Sequence, residues 1–118
     1  MMSLSYFRDY CLSKPGASED TPFDEQTLCF KVGGKIFAIT DIFDFENVNL
    51  KCDPERAIDL RERYEGILPG YHMNKKYWNT VICDGSVPDS LILQLVDHSY
   101  DLVFTSLPKK IQQSHIAG

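Results

Sequence analysis

The chain has 118 residues, of which 43% are hydrophobic and 25% charged, and its formal net charge is −5. This size and composition predict one globular domain over residues 1–118 and argue against several domains. The sequence has no apolar run of the ~20 residues that span a bilayer and no basic, then apolar, signal peptide at its start, so we expect a cytoplasmic protein without a membrane partner.

The first predicted element is a helix over SLSYFRDYCL. Leu4, Phe7 and Cys11 recur at helical spacing, and Ser3 is a favourable N-cap. The helix is expected to end at the proline and glycine of Lys14-Pro15-Gly16. The polar segment that follows, ASEDTPFDEQ, predicts a loop.

A β-hairpin is predicted next, because Gly33 and Gly34 separate two short β-rich runs and both tolerate the positive φ of a two-residue turn. In the implied register Ala38 lies on the face opposite to Phe37. The predicted pairs on one apolar face are Val32 with Lys35, Phe30 with Phe37, and Leu28 with Ile39.

The second half of the chain predicts further strands and helices. Asp53 and Pro54 suit the N-cap and first position of a helix, and Pro88 begins the longest helix. The remaining segments are two strands, VNLKC and YWNTVIC, an irregular stretch, ILPGYHMN, and a fraying tail, KKIQQSHIAG. The order predicts an α+β fold of two layers, with helices packed on one face of an antiparallel β-sheet.

The cysteines do not indicate a zinc site. Zinc ligands usually come in close pairs, and no C-x-x-C pair occurs among Cys11, Cys29, Cys52 and Cys83. We expect buried free thiols, no metal and no cofactor. Asp97, His98 and Asp101 share one helix but do not form a focused triad, so we expect a protein that is not an enzyme.

Charge is distributed unevenly along the chain. Residues 66–83 contain two lysines and no acid, while the predicted helices on either side of them are acidic. Lys31, Lys35 and Lys51 lie on neighbouring predicted strands. This asymmetry predicts a locally positive surface on an acidic protein.

Five motifs follow one another from about Leu4 to Leu107: KPG, PF, FKVGGKIFAI, HMNKKYWNTV and DGSVPDSLILQLVDHSYDLV. The most specific is the fourth, with His72, Asn74, Lys75 and Trp78. Together they resemble the bacterial MmcQ/YjbR family. The resemblance implies a CyaY-like (frataxin-like) fold and DNA binding through paired wing-like hairpins. The iron site of frataxin-like proteins is not expected here, because the first helix offers only Asp9.

Two functions stay open. The first is DNA binding, with lysines on phosphates and the site residues Lys31, Lys35, His72, Asn74, Lys75, Lys76 and Trp78. The second is a protein-interaction or small-ligand module that uses the surface of Tyr71, Tyr77 and Trp78. Structural roles are the alternative for the same residues: His72 and Asn74 as turn caps, Trp78 in packing, and the lysines in a solvated turn.

Overall fold

The computed structural model describes residues 2–70 and 73–117, and only the backbone of residues 115–117. The helices are α1 Leu4–Leu12, α2 Pro54–Arg63, α3 Asp89–Ser106 and α4 Lys109–Ala117. The strands are β1 Ala17–Asp20, β2 Thr27–Val32, β3 Lys35–Asp41, β4 Asn47–Lys51, β5 Ile67–Pro69 and β6 Trp78–Ile82. None of the helices in these ranges is long and apolar enough to cross a membrane.

The six strands form one antiparallel sheet in the order β1-β2-β3-β4-β6-β5, so β1 and β5 are its outer strands. Three helices contact the same face of this sheet. Phe7 of α1 packs on Phe30 at 5.8 Å between ring centroids, and Tyr100 of α3 packs on Phe37 at 5.4 Å. Ala57 of α2 accepts a hydrogen bond from Asn79 on β6. The predicted α+β fold, with helices on one face of an antiparallel sheet, is confirmed.

The hairpin register contains a β-bulge at Phe37, and the register predicted beyond the turn is wrong. The observed pairs are Val32 with Lys35, as predicted, then Phe30 with Ala38, and Leu28 with Thr40. The additional residue leaves both Phe37 and Ala38 fully buried in the core under the helices. The bulge frees the carbonyl of Phe37 from the ladder, and this oxygen accepts a hydrogen bond of 2.5 Å from Ser99 Oγ on α3.

Three segments that were predicted to be irregular are regular. Strand β1 lies in the predicted loop and pairs with β2 through its main chain, which needs no apolar side chains. Strand β5 lies in the stretch predicted to be irregular and pairs with β6. The tail predicted to fray forms α4, which Gln112 Nε2 ties to the carbonyl oxygen of Leu107 at 2.6 Å.

The second face of the sheet, called the open face here, carries a mixed set of side chains. The register places Cys29, Ile39, Asn49, Thr80 and Leu68 in one row across five strands. Two residues further along β4 and β6, Lys51 and Trp78 lie opposite each other on this face. The open face is therefore where polar, basic and aromatic groups of neighbouring strands meet.

Candidate nucleic-acid interface

Lysines gather at the end of the sheet where β2 and β4 finish and β3 and β6 begin. Antiparallel pairing brings these four chain positions to the same edge, although they are far apart in the sequence. We call this edge the lysine end. Its members are Lys31, Lys35, Lys51, Lys75 and Lys76.

The turn before β6 is built on Asn74. Its side-chain oxygen Oδ1 accepts a hydrogen bond of 2.9 Å from the amide of Lys76, and its carbonyl accepts one of 3.0 Å from the amide of Trp78. Arg61 of α2 donates to the carbonyl of Lys75 at 3.1 Å. Asn74 therefore caps the turn, and the turn is fixed to α2 while Lys75 and Lys76 stay exposed.

Most of these lysines have no acidic partner. Lys31 forms an ion pair with Asp20, with 3.2 Å between Nζ and Oδ2. Within the described ranges, the other four members of the lysine end have no carboxylate within 4 Å. Their ammonium groups therefore form no direct ion pair with the part of the chain that the structure describes.

Lys51 is positioned by a contact between the sheet and α3. Its amide donates to Ser99 Oγ at 2.9 Å, and the same hydroxyl donates to the freed carbonyl of Phe37. Ser99 is fully buried, so its hydrogen bond to Phe37 is shielded from water, while the bond from the Lys51 amide is partly buried. This junction fixes the end of β4 and the backbone of Lys51.

Trp78 is half-buried, and its backbone is in close contact with the backbone of Gly70. The amide of Gly70 donates to the carbonyl of Trp78 at 2.8 Å. A Cβ atom at Gly70 would lie 2.7 Å from the Cβ of Trp78, closer than real side chains approach. Gly70 is required because the two backbones meet here, and the contact orients the tryptophan on the open face.

A shallow cleft of about 270 Å³ opens at the lysine end. Tyr77 lines one side and remains 40% exposed. The other lining residues are Lys51, Cys52, Asp53, Pro54 and Leu102. The ammonium group of Lys76 lies 5.5 Å from the centroid of the Tyr77 ring. The cleft thus combines an aromatic ring, an apolar floor and two lysines.

His98 supports the floor of this region. Its Nε2 atom accepts a hydrogen bond of 3.1 Å from the amide of Asp53, the N-cap of α2. Only the neutral imidazole can accept this bond. Burial, followed by the positive charge of Arg56, lowers the pKa of His98 below its ordinary value.

The opposite end of the sheet is acidic. It is formed by residues 21–26, 42–46 and 83–88, and these loops contain no lysine, arginine or histidine. We call this the acidic end. Its carboxylates are Asp24, Glu25, Asp44, Glu46 and Asp84. The total of −5 therefore includes a group of carboxylates at the end opposite the lysines, while Asp53 remains at the lysine end, in the lining of the cleft.

Residues 12–102 match the model of the YjbR family. The uncharacterized protein YjbR of Escherichia coli K12 is 38% identical over 110 residues, which cover 92% of this chain and 93% of that relative. The chain belongs to the YjbR family. A second relative of this YjbR-family chain, the uncharacterized protein YbdF of Escherichia coli O157:H7, is 37% identical and the match covers 78% of this chain and 76% of YbdF.

Two solved structures share the YjbR-family fold described here. Protein DR2400 of Deinococcus radiodurans, a DUF419 domain, has a TM-score of 0.90 and 40% identity, and the match covers 97% of this chain and 88% of that one. A crystal structure from Pseudomonas syringae has a TM-score of 0.73 and 27% identity, with 86% of this chain and 99% of that one covered.

The YjbR-family fold brings most of the predicted site residues together. Lys31, Lys35, Asn74, Lys75, Lys76 and Trp78 all lie at the lysine end. His72 and Tyr71 lie outside the described residues. The prediction of a locally positive surface agrees with this placement.

Other cations at the lysine end were not among the predicted site residues. Lys51 was noted only as a neighbour, and one lysine in an alternating strand gives no distinct signal. Lys109 and Lys110 open α4 two residues after Leu107, whose side chain lies beside Gly33 of the hairpin turn. Only the helix that was not predicted places them near this edge.

The groups considered for other chemistry are engaged in structural contacts. Asp97 accepts a hydrogen bond of 2.7 Å from the Tyr10 hydroxyl and is paired with Lys14. The four cysteines are buried free thiols, as the sequence indicated. Burial raises the pKa of Cys52 and of Cys83 to about 11, so both stay protonated near neutral pH. The described residues include no group of three or more His, Cys, Asp or Glu placed to hold a metal ion.

Proposed function

We propose that this YjbR-family protein binds nucleic acid through phosphate contacts at the lysine end. The observation that carries the proposal is the placement of Lys35, Lys51, Lys75 and Lys76 at one end of the sheet, where they lack acidic partners within 4 Å among the described residues. An unneutralised ammonium group gains most from a phosphate, because binding releases condensed counterions from the polymer. Because the lysines lie at one end of the sheet, the phosphates of one nucleic-acid strand can contact several of these lysines at once.

The net charge of −5 does not oppose this proposal. The acidic end lies at the far side of strands β3 and β4, beyond a Debye length of about 8 Å at physiological salt. A bound phosphate therefore responds mainly to the charged groups beside it, which are the lysines and, at the cleft, the carboxylate of Asp53. A local basic surface supports binding even when the whole molecule is acidic.

The decisive measurement is the salt dependence of binding to a fluorescein-labelled DNA duplex. If four lysines contact phosphates, log K should fall against log salt concentration with a slope of about −3 to −4. The double variant Lys75→Ala/Lys76→Ala should make this slope shallower by about 2. Arg63→Ala removes one exposed positive charge from the end of α2, where the chain turns towards the acidic end, and is the matched control for the single variant Lys76→Ala, which should make the slope shallower by about 1.

Two results would contradict the proposal. One is the absence of binding to any DNA at about 20 mM salt, where phosphate contacts are strongest. The other is an equal loss of affinity in Arg63→Ala and in the lysine variants, because this would mean that only the total charge matters.

A second candidate function is favoured by the cleft beside Tyr77. An exposed aromatic ring over an apolar floor is also suited to a small apolar ligand or to a side chain of a partner protein. Such binding would change little with salt concentration. Trp78, one residue away on β6, would report it by a change in fluorescence.

A further inference from the structure

We propose that the cleft beside Tyr77 holds one unpaired nucleobase, so that the lysine end binds single-stranded nucleic acid in preference to a duplex. This inference rests on the proposed function and specifies its substrate. It follows from the position of an accessible aromatic ring beside Lys51 and Lys76, which have no acidic partner within 4 Å among the described residues.

The backbone of Tyr77 is fixed, while its ring is accessible. The Tyr77 carbonyl accepts a hydrogen bond of 2.7 Å from the amide of Cys52, and its amide donates to the carbonyl of Asn74 at 3.2 Å. The side chain is nevertheless 40% exposed. Because the backbone is already fixed, stacking of a base restricts only the two side-chain torsions of the ring, and stacking of this kind accepts any base.

The lysines place a phosphate within reach of this ring. Lys51 lines the cleft itself, and the Lys76 ammonium lies 5.5 Å from the ring centroid. A phosphate held by either group brings its own nucleotide next to the cleft. The floor of Pro54, Cys52 and Leu102 is apolar and suits the face or edge of a planar ring.

A duplex cannot use this arrangement without losing base pairing. Its base faces are stacked on one another, and only base edges are presented in the grooves. Extrusion of a base from a duplex breaks its pairing and stacking, whereas the bases of a single strand are already available. The cleft of about 270 Å³ is suited to one ring system, not to a paired stack.

The test compares a fluorescein-labelled oligodeoxythymidine of about 15 nucleotides with a duplex of the same length, at equal salt concentration. We expect the single strand to bind at least about tenfold more tightly. Tyr77→Ala should weaken single-strand binding by about tenfold or more, and Tyr77→Phe should retain it because the ring remains. Tyr6→Ala removes a tyrosine that is 56% exposed on α1 and should have no effect.

A second measurement uses the wild-type protein and needs no variant. Thymidine 5′-monophosphate at millimolar concentration should shift the amide resonances of Cys52, Asp53 and Leu102. Ribose 5-phosphate carries a phosphate without a base, so it should leave the amide resonance of Leu102, on the floor of the cleft, unchanged.

The outcomes separate this inference from the proposed function. Equal affinity for single strand and duplex, with Tyr77→Ala unchanged and the lysine variants weakened, overturns the inference and leaves phosphate binding intact. Failure of both DNA forms to bind at low salt overturns both. Shifts of the cleft resonances by a base-free aromatic compound, without any by the nucleotide, would assign the cleft to another ligand and overturn the inference.

Discussion

At the scale of single residues, His98 connects protonation to the structure around the cleft. The neutral imidazole accepts the amide hydrogen of Asp53, which in turn caps α2 by accepting from the amide of Arg56. The charged groups that act on His98 are Arg56, Asp53 and Asp101. Protonation adds a positive charge beside Arg56 and removes the acceptor for the Asp53 amide.

The stability of the fold should therefore fall in mildly acidic solution. The pKa of His98 is about 6.5 in the unfolded chain and lower in the folded one, so the unfolded chain takes up the proton first. The contribution of His98 is complete above pH 6.5 and is lost as the pH falls through its folded pKa. Urea unfolding across this range should show a weaker pH dependence for His98→Gln, which keeps an acceptor but does not titrate. An unchanged pH profile in that variant would contradict the assignment.

At the scale of elements, the β-bulge and α3 depend on each other. The bulge frees the carbonyl of Phe37 from the ladder, and Ser99 supplies the missing donor from the helix. The same hydroxyl accepts the amide of Lys51. One small side chain thus joins β3, β4 and α3 at the base of the lysine end.

Ser99→Ala should destabilise the protein by about 1–3 kcal/mol, because it leaves a buried carbonyl and a buried amide without partners. Ser90→Ala, on the exposed first turn of the same helix, should change stability by less than about 0.5 kcal/mol. Urea unfolding of both variants measures the difference. Equal effects would mean that the Ser99 hydroxyl is not needed to satisfy the bulge.

Elements with a strong local signal could be predicted from the sequence, and those that depend on a neighbour could not. Gly33 and Gly34 have φ values of +58° and +80°, which glycine adopts readily, so the turn was evident. The bulge at Phe37 gave no signal, because its neighbours in β3 are also apolar. Strand β1 was hidden because its polar residues contribute only main-chain hydrogen bonds to the sheet.

The candidate site could be predicted only where its residues give a local signal in the sequence. Lys75, Lys76 and Trp78 stand out because they are adjacent in an acid-free segment. Lys51 joins them only through the pairing of β4 with β6, a long-range fact that spacing along the chain does not contain.

At the scale of the whole molecule, charge is separated over a body of 39 × 32 × 25 Å. A strand of five residues is about 17 Å long. This length exceeds the Debye length at physiological salt, about 8 Å, but it is shorter than the Debye length of about 30 Å at 0.01 M salt. The acidic end should thus influence binding at the lysine end only in dilute salt.

The double variant Asp44→Asn/Glu46→Gln should raise DNA affinity a few-fold at about 0.01 M salt and have almost no effect at about 0.15 M. Asp20→Asn, which releases Lys31 from its ion pair, should raise the affinity at both concentrations because the two groups are in direct contact. Fluorescence anisotropy at the two salt concentrations measures each variant. If Asp20→Asn and Asp44→Asn/Glu46→Gln had the same effect at both salt concentrations, only the net charge of the protein would affect DNA binding.

The two outer strands have a consequence for behaviour at high concentration. A bare strand edge is a template on which another chain can add its own strand. Here β1 is four residues long and carries Glu19 and Asp20, while β5 is three residues long and ends in Pro69, which has no amide hydrogen to donate. Neither outer strand favours the addition of a strand from another molecule. We therefore expect the protein to resist edge-to-edge aggregation at high concentration.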